Sequence, residues 1–218
     1  LRGIKNRFGS TYEIGKDRVA VTPPERARRR LLRIPAEPQI GVVVGLSVAG
    51  DNIGTIQLIE VIAQKGHNAL NRLGSMGKAM KESVKAAYEF VAHRRKSLNI
   101  VSELKGGYDL SVLALQGDVH KEGSSAGLAF AIGIVSALTH RKVRNDVVVT
   151  GEITLHGNIL GVTGVAQRIA AARDAGARVV LLPRENEREV KDLPADISRG
   201  LRLIFVEKAD EAFQEVFI

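Results

Sequence analysis

The stretch Ala126 to Leu138, AGLAFAIGIVSAL, carries one polar side chain, Ser136, and its apolar residues lie on every side of a helix, not along one stripe. Such a helix has no face to give to water, so other elements must surround it. It is also shorter than the roughly 18 to 20 apolar residues that cross a bilayer, which makes it the central buried helix of a globular domain. With 218 residues, 44% of them hydrophobic, the chain can build one core of this kind plus a short extension.

The elements able to surround it alternate between strand and helix. Ile40 to Val48 and Thr55 to Ala63 are rich in β-branched residues and flank the turn former Asp51-Asn52-Ile53-Gly54, which predicts a hairpin. Met76 to His93 repeats apolar residues at helical spacing (Met76, Met80, Val84, Ala87, Val91) and leaves Lys78, Lys81 and Glu82 to face water. Strands are expected at Asp109 to Leu115, Val147 to Val149, Arg178 to Leu182 before Pro183, and Leu201 to Val206. Helices are expected at Gly164 to Ala175, ending at Gly176, and at Ala209 to Val216. This order predicts an α/β fold with a mixed sheet, of α+β character, without the strict alternation of a doubly wound sheet. Residues 1–38 read as an N-terminal extension and basic linker: a strand-and-turn segment to residue 15, then Pro23 and Pro24, an arginine-rich run from Arg26 to Arg33, and Pro35 and Pro38. The domain proper is expected at 39–218.

Composition removes several classes of function. There is no cysteine, so disulfide frameworks, thiolate nucleophiles and cysteine-ligated zinc are excluded. The five histidines lack the i, i+4 spacing of a zinc-binding helix, and no metal site is expected. No apolar run spans a membrane, no secretory leader is visible, and the cytoplasm is the expected location. A net charge of +8 favours polyanions, but three tyrosines, six phenylalanines and no tryptophan make a poor platform for stacked bases. The sequence holds no phosphate-binding glycine loop ending in Lys-Ser or Lys-Thr, so no cofactor is expected on these residues.

Just before the buried helix stands His120-Lys121-Glu122-Gly123-Ser124-Ser125-Ala126-Gly127. A turn of small residues presents a hydroxyl at the helix start, where free amides and the positive end of the helix dipole stabilise an oxyanion. An ordinary serine N-cap produces the same local pattern. The wider context separates them: EGSSAGLA, VVVTGEITLHGNILGVTG and AGARVVLLPREN, preceded by GVVVGL, TIQLIEV and LGSMGKAMKESVKAA, together are similar to the proteolytic domain of Lon, a serine-lysine peptidase attached to an AAA+ unfoldase. The resemblance covers residues 39–218. It implies the Lon proteolytic-domain fold, Ser125 as nucleophile, Glu122 as the acidic neighbour, and Thr150 and Glu152 as support. It also implies unfolded protein substrates, a homo-hexamer, and an ATPase region of the same polypeptide that binds ATP and Mg.

Counted along those motifs, the catalytic lysine falls at residue 168, which is Arg168. A guanidinium does not serve as a base near neutral pH. Three roles stay open to it: holding a carboxylate, imitating the charged lysine of an inactive state, or bonding Thr150 and Glu152. Lys16, Lys121 and Lys142 are poorly placed to replace it, and His120 is the one alternative base. A second resemblance points elsewhere. Lys5-Asn6-Arg7-Phe8-Gly9 and Ala166-Gln167-Arg168-Ile169 are similar to the RadA DNA-repair ATPases, in which a Lon-like domain is a non-proteolytic, DNA-contacting scaffold.

Overall fold

A computed structural model describes residues 3–5, 11–13, 32–49, 52–100, 107–115 and 123–218. It divides into two compact units, Leu1–Leu31 and Leu32–Ile218. In the first, β1 (Gly3–Lys5) pairs antiparallel with β2 (Thr11–Glu13). Residues 6–9 of the KNRFG motif, Lys16 and the arginine run up to residue 30 lie outside the described residues.

The second unit begins with residues that close onto its core: Leu32 and Ile34 pack against buried side chains. The amide of Asn145 donates to the carbonyls of Pro35 at 2.9 Å and Ala36 at 2.8 Å. Next come β3 (Gln39–Ile40), β4 (Val42–Ala49), β5 (Ile53–Lys65), β6 (Leu70–Leu73), α1 (Lys78–His93), β7 (Tyr108–Leu115) and α2 (Gly127–Thr139). The second half holds β8 (Lys142–Val143), β9 (Val147–Val149), β10 (Glu152–Ile153), β11 (Ile159–Leu160), α3 (Val165–Asp174), β12 (Val179–Pro183), α4 (Glu187–Lys191), β13 (Arg202–Val206) and α5 (Ala209–Val216). Seven strands form one mixed sheet in the order β13-β12-β9-β4-β5-β7-β6, antiparallel at β4–β5 and β5–β7 and parallel elsewhere. The fold is the expected mixed α/β one.

Alternation along the central strands sorts side chains to two faces. Val43, Val147, Val149, Val179 and Leu181 join one core with α1, α2 and α5, whereas Val44, Leu46, Val148, Val180 and Leu182 join the other with α3. Both faces are covered, so β9 and β12 are buried at every position and read as continuous apolar runs. Helix α2 is buried from Gly127 to Ala137, as its all-round apolar sequence requires. Helix α3 lies so close to the sheet that a Cβ built on Gly54 would fall 1.9 Å from the carbonyl oxygen of Gln167. The glycine is what permits that approach.

The structure extends the expected hairpin. Strand β5 begins at Ile53, two residues before Thr55, and Asn52 takes the left-handed conformation at φ 59°. Helix α1 starts at Lys78, after Met76 and Gly77, and α3 starts at Val165 after Gly164, whose φ is 69°. The short pairs β3–β8 and β10–β11, edge strand β6 and helix α4 are additions to the expected elements. They run from two to five residues, too few to display a period.

Candidate active site

Ser124 and Ser125 stand in the turn that leads into α2, immediately ahead of its N-cap, Ala126. The turn is closed by the Gly127 N–H donating to the Ser124 carbonyl at 3.1 Å. Gly127 itself must be small, because its Cβ would meet the Ile153 nitrogen at 2.8 Å. Two bonds sew the turn to the segment after β9: the Gly151 N–H donates to the Ser125 carbonyl at 2.9 Å, and the Leu128 N–H donates to the Gly151 carbonyl at 3.0 Å. A third comes from α1, whose Ser83 hydroxyl donates to the Ser124 carbonyl at 3.1 Å. The Ser124 hydroxyl donates to Glu152 Oε2 at 2.5 Å.

These bonds engage the backbone and the hydroxyl of the first serine. Among the described residues the Ser125 hydroxyl has no hydrogen-bond partner, and the amides of Ser125 and Ala126 donate to nothing. A hydroxyl and two N–H groups without partners among the described residues therefore stand at the positive end of a helix, where an oxyanion is stabilised.

Arg168 approaches from the opposite face of the sheet. It is only 5% exposed, although it belongs to a residue type rarely buried without a partner. Its Nη1 donates to the Leu46 carbonyl at 2.5 Å and to the Thr150 hydroxyl at 3.1 Å, and its Nε donates to the Thr163 carbonyl at 3.0 Å. No carboxylate pairs with it among the described residues, and burial lowers its pKa to about 10. Among the described residues, neutral oxygens alone solvate this buried cation.

Thr150 joins the two halves. Its hydroxyl oxygen, fully buried, lies 3.3 Å from the Ser125 carbonyl and 3.4 Å from the Leu46 carbonyl, and its one hydrogen is donated to one of them at a time. Arg168 and the backbone of Ser125 are accordingly two hydrogen bonds apart, through one threonine. Of the roles open to Arg168, the described residues show a bond to Thr150 but none to a carboxylate, and Glu152 is engaged by Ser124 instead. Glu122, His120 and Lys121 lie outside the described residues; Lys142 is exposed on β8, beyond the far end of α2. Reading from residue types missed the Leu46 and Thr163 carbonyls, which no side-chain signature marks, and Ser83, which looks like any serine of an amphipathic helix.

Among the described residues no cluster of three or more His, Asp or Glu side chains forms a metal site, and no helix is long and apolar enough to cross a membrane.

The chain is similar to known proteins over most of its length. Residues 25–218 match the family model described as the Lon protease (S16) C-terminal proteolytic domain. It is 39% identical to Lon protease of Syntrophomonas wolfei over 84% of this chain and 22% of that protein. It is 37% identical to Lon protease 1 of Thermus thermophilus over 88% of this chain and 23% of that protein. With Lon protease 1 of Bacillus subtilis the identity is 35% over 84% of this chain and 23% of that protein. The chain thus spans less than a quarter of the length of these relatives. A serine at the start of a buried helix, packed on a sheet of this order, is joined here by a sequence match across the whole second unit: the chain belongs to the Lon protease C-terminal proteolytic domain family.

Proposed function

We propose that this chain is the proteolytic module of a Lon-type serine peptidase acting on unfolded proteins, with Ser125 as nucleophile and with Arg168 at the position of the base, so that hydrolysis is impaired. The observation that supports the reading is the buried Arg168, which has no carboxylate partner among the described residues and is hydrogen-bonded to the same Thr150 that meets the Ser125 backbone.

In the reaction, Ser125 Oγ attacks the scissile carbonyl carbon while its proton passes to the base. The new oxyanion is met by the amides of Ser125 and Ala126. The base then gives that proton to the leaving amine, the C–N bond breaks, and water hydrolyses the acyl-serine by the same route in reverse. Each proton transfer requires a group at 168 that exists in the neutral form. With its pKa at about 10, Arg168 is neutral at pH 7 in roughly one molecule in a thousand. Burial displaces a lysine at that place in the same direction, toward its neutral form, and a lysine starts from a lower value than arginine does. Glu152, through Ser124, and Thr150 hold the turn, and Glu122 is assigned to the acidic position next to it.

ATP and Mg would act through an ATPase region of the same polypeptide, in a homo-hexamer located in the cytoplasm. The names of the relatives favour proteolysis over the DNA-contacting scaffold of the RadA-like reading. The test is Arg168→Lys, assayed on assembled rings of the full-length parent with ATP and an unfolded protein. Restored cleavage that disappears on adding Ser125→Ala supports the proposal. An inert Arg168→Lys ring with intact fold, joined to salt-sensitive DNA binding, would replace it with the scaffold reading.

A further inference from the structure

Asn186 is a polar residue only 7% exposed, and its amide is fully used. Oδ1 accepts the Val162 N–H at 2.9 Å, and Nδ2 donates to the Val162 carbonyl at 2.9 Å and to Glu189 Oε2 at 3.2 Å. Its neighbour Glu185 accepts the Gly161 N–H on Oε2 at 2.6 Å. Residues 161 and 162 lie in neither helix nor strand, so their backbone groups have no ladder to join. Two side chains from a turn 24 residues later serve them instead.

The next residues along the chain form the Arg168 cradle. Thr163 offers its carbonyl to Arg168 Nε at 3.0 Å, and Gly164 offers its carbonyl to the Arg168 backbone N–H at 3.1 Å. The turn that carries Glu185 and Asn186 leaves directly from the end of β12 at Pro183. The same strand also steadies the other partner of Arg168, because the Leu181 carbonyl accepts the Thr150 N–H at 3.1 Å.

We propose that Glu185 and Asn186 are positioning residues for the side chain at 168: they fix residues 161–164 against the end of β12, and thereby set where the Thr163 carbonyl holds the group at 168 relative to Thr150. Strand β12 is then the common reference for both. The proposal deepens the peptidase reading by naming what aims its base, and its geometric content stands whether or not the module cleaves peptides.

The experiment reads Arg168 directly. In the 15N-labelled chain, solvent exchange of the Arg168 Nε–H is compared between the parent and Asn186→Ala. The Nε–H of Arg144, bonded to Asp146 Oδ1 at 3.0 Å, is the internal control. Loss of the clamp is expected to speed exchange at Arg168 by about tenfold, the change in an opening equilibrium that one or two net hydrogen bonds bring, and to leave Arg144 unchanged. Asn186→Asp, which keeps the acceptor and loses the donor, is expected to fall between. Equal acceleration at both arginines, or none at Arg168 in a folded variant, overturns the proposal. If Asn186→Ala does not fold, Glu185→Ala decides: its carboxylate is exposed, its removal leaves no cavity, and unchanged exchange at Arg168 would sink the idea. In an Arg168→Lys background that cleaves peptides, Asn186→Ala is expected to lower kcat while KM stays within about twofold, as loss of an interaction made only in the transition state does. A background that fails to cleave refutes the peptidase reading without touching the exchange result.

Discussion

The Thr150 hydroxyl lies 3.1 Å from Arg168 Nη1 and 3.3 Å from the carbonyl oxygen of Ser125, so one buried oxygen stands between the Arg168 cation and the backbone of the residue assigned as nucleophile. Thr150→Val keeps the shape and deletes that link. Arg168 then retains Leu46 and Thr163 as acceptors but loses one of its bonds in a site closed to water. Stability is expected to fall by about 1 to 3 kcal/mol, as when a buried polar group is left short of a partner. Thr150→Ser, which keeps the hydroxyl, should recover most of it. Urea unfolding of the three chains measures the difference, and equal midpoints would remove Thr150 from its linking role.

The pH dependence of an Arg168→Lys site is set by burial. Arg168 is pushed down to about 10 by desolvation, and a lysine at that place is displaced in the same direction. Only the neutral amine accepts the serine proton. Peptide cleavage by Arg168→Lys should therefore be low in acid and rise with pH, through a midpoint below the roughly 10.4 of a free lysine. A bell centred near 6.5 would instead implicate a histidine such as His120.

Gly54 tests how tightly α3 must sit. A Cβ there would fall 1.9 Å from the Gln167 carbonyl and 3.1 Å from Ala171 Cβ, so Gly54→Ala forces the helix outward. The expected cost is about 1 to 3 kcal/mol of stability, typical of overpacking. In the Arg168→Lys background, cleavage should fall together with it. A Gly54→Ala chain of parental stability would mean that the helix yields freely, and that its height above the sheet is not what places residue 168.

Acid should loosen the β5–β6 connection before the core. Asp109 accepts the N–H groups of His67 and Ala69 on Oδ1, each at 2.8 Å, and these bonds, Ala69 first, hold its pKa below the ordinary carboxylate value. A folded value below the unfolded one means that the stabilisation is complete above about pH 4 and drains away as pH falls through the folded value. Asp109→Asn keeps an acceptor but not the charge, so its stability should vary less with pH between about 5 and 2. Parallel pH profiles for the two chains would show that Asp109 contributes nothing to acid sensitivity.

Periodicity reveals the elements that are long and unambiguous. Helix α2 is legible because it has no polar side, and β9 and β12 because strands covered on both faces are apolar throughout. Strand β6 is not, since Leu70 to Leu73 is a short edge of mostly exposed residues whose place is decided by its partner β7. The candidate site divides in the same way. Motif spacing singles out Ser125, Thr150 and Arg168, whereas the carbonyls of Leu46 and Thr163 are invisible in a string of side chains. The engagement of Glu152 by Ser124 depends on how the turn folds back, which residue order alone does not dictate.

Helices α2 and α3 lie in different cores on opposite faces of the sheet, and a hydrogen-bonded link joins their two sides where β9 stops after three residues and Thr150 emerges. The residues assigned as nucleophile and base are therefore inherited through separate packing networks. A change at 168 can be absorbed by the carbonyls around it without disturbing the serine turn, which keeps its own bonds to Gly151, Ser83 and Glu152. In this architecture a substitution on one side of the sheet can leave the packing on the other side as it was.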